Sequence, residues 1–463
     1  MTTNNYTPPA SVMRVLQHIE YEQALPAGDP RYVPTQAARS SEMTFDRLAR
    51  KFVWDPDENE FFPPTQKHVL FFGHIGSGKT TELRQYAERC NQSGHFLVVE
   101  VDVVEKLDRN NLQYADVLMA MAESLLEALR LIEADLGEAA LTPLRQWFQT
   151  KLIESTKSQE LAAEIKASAE LGGGIPGLLK LVASVTNVFK TGSSHKTTWR
   201  EEIRTHFTSL ATTFNALIRD AEAELTQLQG RERRVLFVID GTDKMRDEDT
   251  SRFFVQDSVL LLEVETLALY TAPLDLKYDG RLGGRLDDLI LPMMKLYDRQ
   301  GQRWDAGWEA LRAMLLHRAA RSLFEPDGEG DVQIERLIAH SGGHPRELLR
   351  LLKQACEVAT KKINGKKVLD EVAVSRAIEL LAAEYRRFLK PEDYELLAQI
   401  DTQPAHKGNN EQAQKLLHRL ALLEYNDGSW RCSHPVIRTL EGYQLAVAAL
   451  QAAAPSTPAP PAP

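Results

Sequence analysis

Residues 68 to 80 read His-Val-Leu-Phe-Phe-Gly-His-Ile-Gly-Ser-Gly-Lys-Thr, and this stretch decides the fold. From Gly73 to Thr80 it forms a complete G-x-x-x-x-G-K-[ST] pattern, with an apolar run before it and the helix-like residues 81 to 87 after it. A strand, a glycine-rich turn and a helix in this order predict a phosphate-binding loop. The alternative is a glycine-rich turn that binds nothing, and it is disfavoured because every fixed position of the pattern is filled.

Each fixed position of the loop serves the binding of phosphate. Glycines let successive backbone N–H groups turn around a β-phosphate, and the helix that begins near Lys79 adds the positive end of its dipole. Lys79 brings a charge to the β- and γ-phosphates, and the Thr80 hydroxyl can ligate Mg²⁺. The predicted nucleotide-binding residues of the loop are Gly73, Gly76, Ser77, Gly78, Lys79, Thr80 and Thr81.

The composition is that of a globular protein with several domains. Of 463 residues, 43% are hydrophobic and 26% are charged. The three cysteines lie far apart without C-x-x-C spacing, so we expect neither a disulfide framework nor a zinc site, and a reducing cytoplasm as the location. The formal net charge of −10 gives no general attraction to nucleic acid or to an anionic membrane. The chain also starts without the pattern of a secretory signal.

One segment, residues 171 to 189, is apolar enough to be weighed as a membrane span. It is interrupted by glycines, Pro176, Lys180 and Asn187. A span needs about 20 mostly apolar residues. We therefore expect no membrane span, and instead a loop that leads into a buried or partner-facing helix.

Five apolar runs predict the strands of a parallel sheet. They are short, rich in β-branched residues and nearly continuous, as strands buried on both faces are. The runs are 68–72, 96–103, 234–240, 266–271 and 289–297. Interleaved with helices, they predict an α/β fold, an ASCE-type P-loop NTPase with a parallel five-stranded sheet in residues 46–304. Pro292 in the last run predicts an edge strand.

The stretch between the second and third strands predicts a large helical insertion. It covers about residues 108–232, far longer than the usual crossover of a βαβ unit. Apolar residues recur at helical spacing in 111–132 and in 199–229, with charged residues between them.

Two smaller domains are predicted after the sheet, besides an N-terminal extension of residues 1–45. Residues 305–384 predict a helical lid with one helix around Trp308 to Leu315 and further helices at 334–338 and 347–358. In 385–447, two helices and a hairpin with the turn Asn426-Asp427-Gly428 outline a winged helix. Residues 448–463 are rich in alanine and proline and predict a disordered tail.

Two carboxylates and a threonine follow the later strands. Asp240 ends an apolar strand and is predicted to complete the Mg²⁺ shell, the alternative being a cap of the next turn. Asp243 is predicted to orient the attacking water, the alternative being a helix N-cap before Met245. Thr271 is predicted to bond the γ-phosphate or the water, and a buried threonine bonded to backbone is the alternative.

The start of the third lid helix carries a further candidate. Gly343-His-Pro-Arg346 includes Pro345 and Arg346, and an arginine there could fold over the nucleotide and report its state. The alternative is an ordinary helix start with Pro345 in its first turn. Arg281, Arg285 and Arg299 follow the last strands and could reach a neighbouring subunit's phosphate, although most such arginines are simply solvated.

These motifs together resemble the signal-transduction ATPases with numerous domains (STAND), which are related to AAA+ proteins. The Asp-Gly-x-Asp element at 240–243 is similar to their NACHT branch. The large helical insertion and the Asp-x-x-Asp-Lys ending are similar to their KAP branch. The resemblance covers about residues 30 to 445. It implies ATP and Mg²⁺ as cofactors, with family roles for Lys79, Thr80, Asp240, Asp243, Pro345 and Arg346.

The resemblance implies a regulatory switch ATPase that hydrolyses ATP slowly, in prokaryotic signalling or defence. A homo-oligomer and a protein partner, bound through the helical insertion or the winged helix, are the expected partners. A DNA-associated loader or transposition-type ATPase is one alternative, because origin-recognition-type AAA+ loaders have a similar architecture. DNA is not favoured, since residues 385–450 carry eight Lys/Arg and eight Asp/Glu. A scaffold that binds nucleotide without turnover is the second alternative.

Overall fold

The structure is a computed structural model of the chain. It describes residues 6–39, 45–108, 112–153, 173–191, 196–245, 247–278, 280–282, 284–325, 329–403, 410–426 and 430–453. The predicted turn residues Asp427 and Gly428, and the predicted tail from residue 454 onward, lie outside these ranges.

The first part of the chain leads to the phosphate loop. It contains the helices α1 (Val12–His18), α2 (Gln36–Arg39) and α3 (Phe45–Lys51) and the antiparallel pair β1 (Trp54–Asp55) and β2 (Glu60–Phe61). The strand β3 (Lys67–Gly73) then enters the loop, and the helix α4 (Lys79–Ser93) leaves it. Both elements are where the glycine-rich pattern predicts them.

A parallel five-stranded sheet forms the centre of the α/β fold. Its other strands are β4 (Phe96–Asp102), β5 (Arg234–Asp240), β6 (Leu267–Pro273) and β7 (Asp287–Ile290), and the order is β4-β5-β6-β3-β7. Nearly all residues of β3 to β6 are buried, as their continuous apolar runs predict. One strand, β6, separates β3 from β5. This is the order of ASCE-type P-loop NTPases, and the predicted fold class is confirmed.

The last strand is shorter than its apolar run predicts. β7 ends at Ile290 and lies at the edge of the sheet, so the edge position is confirmed but Pro292 is outside the strand. Residues 291–296 are buried for another reason. Met293 packs against Leu423 and Tyr425 in the C-terminal part of the chain. Burial against another element produced the apolar run that the sequence pattern attributes to a strand.

The predicted helical insertion lies between β4 and β5. Its helices are α5 (Val103–Lys106), α6 (Tyr114–Leu131), α7 (Glu138–Phe148), α8 (Gly174–Thr191), α9 (Lys196–Thr205) and α10 (Phe207–Gln229). The stretch 199–229 is helical as its spacing predicts, with a break at His206 between α9 and α10, and Phe207 meets the ring of Tyr114 edge-on with 5.1 Å between the ring centroids.

The apolar segment 171–189 forms a buried helix over the part that is described. α8 packs against α6, and its apolar residues, among them Leu178, Leu181 and Val185, face the interior. Among the described residues, no helix combines the length and the hydropathy that a bilayer span requires. Two short helices, α11 (Asp247–Ser251) and α12 (Ser258–Leu261), connect β5 to β6.

The lid helices follow β7. α13 (Asp305–Leu316), α14 (Glu329–Ser341) and α15 (Pro345–Val358) confirm the three helices predicted from the apolar spacing. The sequence pattern did not reveal the small hairpin of β8 (Lys362–Ile363) and β9 (Lys366–Lys367), nor the helix α16 (Glu371–Arg386), which packs against α15. The Asn364-Gly365 turn of this hairpin has positive φ angles at both residues.

The C-terminal elements are α17 (Pro391–Thr402), α18 (Glu411–His418), the antiparallel strands β10 (Leu422–Tyr425) and β11 (Trp430–Ser433), and α19 (Glu441–Ala453). The two predicted helices and the predicted hairpin are thus present, and their interpretation as a winged helix stays a prediction. A disordered tail from residue 448 is wrong for 448–453, which belong to α19. This helix packs on α17, where Tyr443 donates a hydrogen bond of 2.5 Å to the Asp401 carboxylate.

The chain divides into two compact units. The loop unit consists of Met1–Thr44, Gly73–Thr81 and Ile290–Pro463. The sheet unit consists of Phe45–Phe72 and Glu82–Leu289. The phosphate loop, the lid helices and the C-terminal elements therefore belong to one unit. The domain boundaries predicted from the sequence stay a prediction.

Candidate functional site

The phosphate loop has the backbone conformation that its glycines predict. Gly76 and Gly78 have φ angles of 84° and 97°, which residues with a side chain rarely adopt. Between them the chain turns tightly, and the Ser77 N–H donates to the His74 carbonyl oxygen at 3.1 Å. Substitution at either glycine would strain the loop.

Lys79 lies within the curve of this loop. Its side chain is buried, and Nζ donates to the carbonyl oxygens of Gly73 at 2.8 Å and of His74 at 3.0 Å. Because α4 begins at Lys79, the positive end of the helix dipole lies at the same place. The loop, the ammonium group and the helix start together make a site for an anion.

The lid contributes an arginine to the loop. α15 begins at Pro345, and its N-cap residue His344 accepts the Glu347 N–H at Nδ1 at 3.2 Å. Arg346, in the first turn, lies directly against Gly76, since a methyl group added at Gly76 would be 2.7 Å from Arg346 Nε. The helix starts in the ordinary way, with proline in its first turn, and the predicted lid arginine nevertheless lies beside the loop.

Two buried polar groups at this place fit the oxygens of a polyphosphate. Over the described part of the chain, the Ser77 hydroxyl and Arg346 Nε make no hydrogen bond. A buried donor left unsatisfied costs about 1–3 kcal/mol, so both groups favour a ligand that supplies acceptors. Each unit also carries one predicted Mg²⁺ ligand, Thr80 in the loop unit and Asp240 in the sheet unit. Both side chains offer oxygen atoms, the ligand type that Mg²⁺ prefers.

The N-terminal segment supplies contacts that no sequence signal revealed. Arg39, in the four-residue helix α2, is 1% exposed. Its Nη2 donates to the Ser77 carbonyl oxygen at 2.7 Å and its Nη1 to that of Pro292 at 2.5 Å. The Leu25 N–H donates to the Thr81 hydroxyl at 3.2 Å, so this predicted nucleotide-binding residue is also a contact of the N-terminal segment.

The C-terminal hairpin reaches the loop through His74. The Glu424 N–H, in β10, donates to His74 Nε2 at 3.0 Å. Burial, and then the charge of Lys79, lowers the pKa of His74 to about 3, so its imidazole is neutral at physiological pH. Glu424 is itself buried and pairs with Arg431 at 2.8 Å. His74 occupies a variable position of the glycine-rich pattern, so the pattern gave it no role.

Asp243 and Thr271 meet in the sheet unit. Thr271, in β6, is fully buried, and its hydroxyl accepts the Gly241 N–H at 3.0 Å and donates to Asp243 Oδ1 at 3.4 Å. Asp243 lies in a 3₁₀ turn and Met245 after it is extended, so the alternative that Asp243 caps a helix at Met245 is wrong. The alternative for Thr271, a buried threonine bonded to backbone, describes its hydroxyl correctly.

Asp240 lies at the end of β5, beside Asp102 at the end of β4. The Asp102 carboxylate accepts the N–H groups of Val104 at 2.9 Å and Glu105 at 3.1 Å, so it caps α5. The chain then turns at Gly241, where a methyl group would lie 2.7 Å from the Val104 side chain. This close approach explains a glycine directly after Asp240.

The structure brings the predicted site residues together in two groups. The loop residues Gly73 to Thr81 lie with Pro345 and Arg346 in the loop unit, and Asp240, Asp243 and Thr271 lie in the sheet unit. Arg281, Arg285 and Arg299 are exposed, and their roles stay predictions.

Comparisons with known proteins give little beyond this. No protein-family model matches the chain, and no curated protein matches it. One solved structure to which it is similar is the structure of the Aeropyrum pernix ORC1 protein in complex with DNA. The similarity has 13% sequence identity and a TM-score of 0.37 and covers 88% of this chain and 81% of that chain. A likeness of this degree carries no argument about the activity of this chain.

Proposed function

We propose that the chain is a STAND-type, AAA+-related ATPase that binds ATP with Mg²⁺ and acts as a slowly hydrolysing regulatory switch. One observation carries the proposal. Arg346 lies against Gly76 of the phosphate loop with a buried Nε–H that has no acceptor among the described residues. A γ- or β-phosphate oxygen would supply that acceptor, and a lid residue would then respond to the bound nucleotide.

In this proposal each residue has a separate task. The loop N–H groups and Lys79 would bind the β- and γ-phosphates, and Thr80 and Asp240 would hold Mg²⁺, which would neutralise charge on the phosphates. Asp243 accepts a hydrogen bond from the attacking water and orients it, and Thr271 holds Asp243. Pro345 fixes the start of the lid helix that carries Arg346.

The regulatory part of the proposal rests on contacts of the loop unit. The lid helix α15 contacts the loop through His344 and Arg346, and the hairpin strand β10 contacts it through His74. A phosphate that displaces any of these contacts would change the position of the lid or of the hairpin. A homo-oligomer or a protein partner would receive that change.

Equilibrium binding of a fluorescent ATP analogue, beside a phosphate-release assay, tests the proposal. We expect Lys79→Ala to weaken binding by about 100-fold or more, because charge-assisted hydrogen bonds to phosphate are lost. The exposed lysine variant Lys190→Ala is the control and should bind like the unmodified protein. Binding that survives Lys79→Ala contradicts the proposal, and tight binding with no phosphate release, even with partners present, favours the scaffold alternative.

In the DNA-associated alternative, the contact with DNA would come from Lys415, His418 and Arg419, which lie in the last turn of α18 and directly after it. In the structure Lys415 pairs with Glu411 at 2.6 Å, and the Arg419 guanidinium lies over the Phe388 ring at 5.4 Å. We therefore expect weak duplex binding with a slope of log affinity against log salt no steeper than about −2, because each phosphate contact contributes about −0.9. A steep slope that Lys415→Glu and Arg419→Glu abolish would favour the loader.

A further inference from the structure

Arg39 donates hydrogen bonds to backbone carbonyl oxygens in and near the phosphate loop. Besides its bonds to the carbonyl oxygens of Ser77 and Pro292, its Nε donates to the Thr35 hydroxyl at 2.7 Å. Its Nη2 is close to the next residue as well, since a methyl group added at Gly78 would lie 3.4 Å from it. A planar guanidinium with donors on three sides holds its acceptors in fixed directions.

The bond to Ser77 also fixes a donor. The Ser77 carbonyl and the Gly78 N–H belong to one planar trans peptide unit, in which C=O and N–H point in opposite directions. Because the carbonyl oxygen points to Arg39, the Gly78 N–H points away from it. A glycine with a positive φ angle has wide conformational freedom, so an external partner decides the orientation of this peptide.

His344 bonds in the same way to the carbonyl oxygen of Ile75, two residues before Ser77 in the loop. Its Nδ1 accepts the Glu347 N–H, so its proton is on Nε2, which donates to the Ile75 carbonyl oxygen at 3.0 Å. Burial lowers the pKa of His344 well below its ordinary value, which keeps the imidazole neutral, and the bond from the Glu347 N–H selects the tautomer. The Ile75 carbonyl shares a peptide unit with the Gly76 N–H, and this N–H therefore points away from His344.

We propose that Arg39 and His344 are positioning residues that hold alternate peptide planes of the loop and so direct the N–H groups of Gly78 and Gly76 toward a polyphosphate. The inference rests on the proposed function. It specifies the class of ligand, because N–H groups fixed in this way should bind a nucleoside diphosphate or triphosphate more tightly than a monophosphate. It also ties the phosphate affinity of the loop to two distant parts of the chain, the N-terminal segment and the lid.

The ratio of affinities for ADP and AMP tests the inference. The two nucleotides differ in the β-phosphate alone, and both are measured on the full chain by competition with a fluorescent ADP analogue. We expect Arg39→Met to weaken ADP binding by about tenfold and AMP binding by less than about twofold, because a fixed donor to a charged group is lost. Arg318→Met is the matched control, since Arg318 also donates to carbonyl oxygens, those of Met314 and Arg31, away from the loop.

His344→Asn tests the bond from His344 to the Ile75 carbonyl oxygen without removing the helix cap. Asparagine is a favourable N-cap residue and can still accept the Glu347 N–H, but its side chain is too short to reach the Ile75 carbonyl. We expect the ratio of ADP affinity to AMP affinity to fall by about tenfold. The melting temperature without nucleotide should fall less than in His344→Ala, because the helix cap is kept while the buried bond to Ile75 is lost. His344→Ala removes both functions and should also lower the melting temperature.

The outcomes separate the inference from the proposed function. If the unmodified protein binds neither ADP nor ATP, the proposed function fails. If it binds ADP and the Arg39 and His344 variants keep its ADP-to-AMP ratio, the inference alone is wrong. Arg39→Lys covers the case in which Arg39→Met does not fold, because lysine keeps the charge and can reach one carbonyl. We expect it to lie between the unmodified protein and Arg39→Met, and an unchanged ratio in a folded Arg39→Lys counts against the inference.

Discussion

The two groups of site residues are held in different ways. In the loop unit, backbone carbonyl oxygens of the phosphate loop are held by Lys79 of the loop itself and by Arg39 and His344, which come from distant parts of the chain. In the sheet unit, Asp243 is held by Thr271 at the ends of two neighbouring strands. The position of Asp243 therefore depends on the sheet, whereas the conformation of the loop depends on contacts with the lid and the N-terminal segment. In the proposed function, this difference separates the residues proposed to orient water from those proposed to report the nucleotide.

The largest expected effect concerns the sheet unit. Asp243→Asn removes the carboxylate that is proposed to orient water, and general-base catalysis contributes about 10²–10⁴-fold to rate. We expect phosphate release to fall by that factor while the affinity for ATP stays within about twofold, since the loop is untouched. Stopped assays of phosphate release and equilibrium binding measure the two quantities separately.

Asp220→Asn is the control for this variant. Asp220 is an exposed aspartate on α10 of the same unit, so its substitution should alter neither quantity. Normal turnover in Asp243→Asn would show that this carboxylate is not catalytic. The proposed catalytic role of the sheet unit would then be wrong.

The same difference explains what the sequence could predict. Local patterns predicted the strand, turn and helix around residues 73–80, the position of Asp240 at the end of a strand and four of the strands closely, because glycine spacing and buried apolar runs reflect local structure. Asp243 follows β5 and Thr271 lies in the last part of the neighbouring strand β6, so their proximity follows from strand order. Arg39, His74 and His344 were not identified as contacts, because each acts on a backbone carbonyl or N–H far away in sequence. The same holds for residues 291–296, whose burial by distant elements produces a strand-like run.

The next prediction concerns how the stability of each unit changes as the pH falls. Burial lowers the pKa of His74 and His434 in the loop unit to about 3 and that of His344 well below its ordinary value. An imidazole that stays neutral when folded but is protonated when unfolded contributes stability above the unfolded pKa of about 6.5, and loses it as pH falls. For His74 and His434, the free energy of unfolding should fall by about 2 kcal/mol each between pH 6.5 and pH 5, and for His344 it should fall in the same direction.

The sheet unit should lose less stability than the loop unit as the pH falls. His68 has a pKa lowered to about 4 by burial, but burial raises the pKa of Asp116, Glu222 and Asp257. A carboxyl with a raised pKa adds stability at low pH and loses it as pH rises, which is the opposite sign. Hydrogen exchange by segment at pH 7.5 and pH 5.5, corrected for intrinsic rates, should show greater loss of protection in the loop unit. Equal losses in both units would contradict this prediction.

A smaller effect tests the contact between the hairpin and the loop. His74→Phe keeps a ring of similar size but removes the acceptor of the Glu424 N–H. If this contact restrains the loop, basal ATPase activity should rise by roughly fivefold, because one hydrogen bond is worth about 1 kcal/mol. Tyr425→Phe is the companion variant, since it removes the bond of 2.7 Å from the Tyr425 hydroxyl to the Gly342 carbonyl oxygen at the lid turn. If the C-terminal elements restrain the loop, deletion of residues 385–463 should also raise basal ATPase activity. Unchanged or lower activity in both point variants would contradict a restraining role.

The smallest effect decides what Thr271 does. Thr271→Val keeps the shape of the side chain and removes the hydroxyl that binds the Gly241 N–H and Asp243, whereas Thr271→Ser keeps the hydroxyl and is the control. If Thr271 only holds Asp243, turnover falls by about threefold in Thr271→Val and the affinities for ATP and ADP fall equally or not at all. If the hydroxyl instead bonds the γ-phosphate, the affinity for ATP falls and that for ADP does not. The two affinities, measured beside turnover on both variants, therefore separate a positioning residue of the sheet unit from a direct contact with the nucleotide.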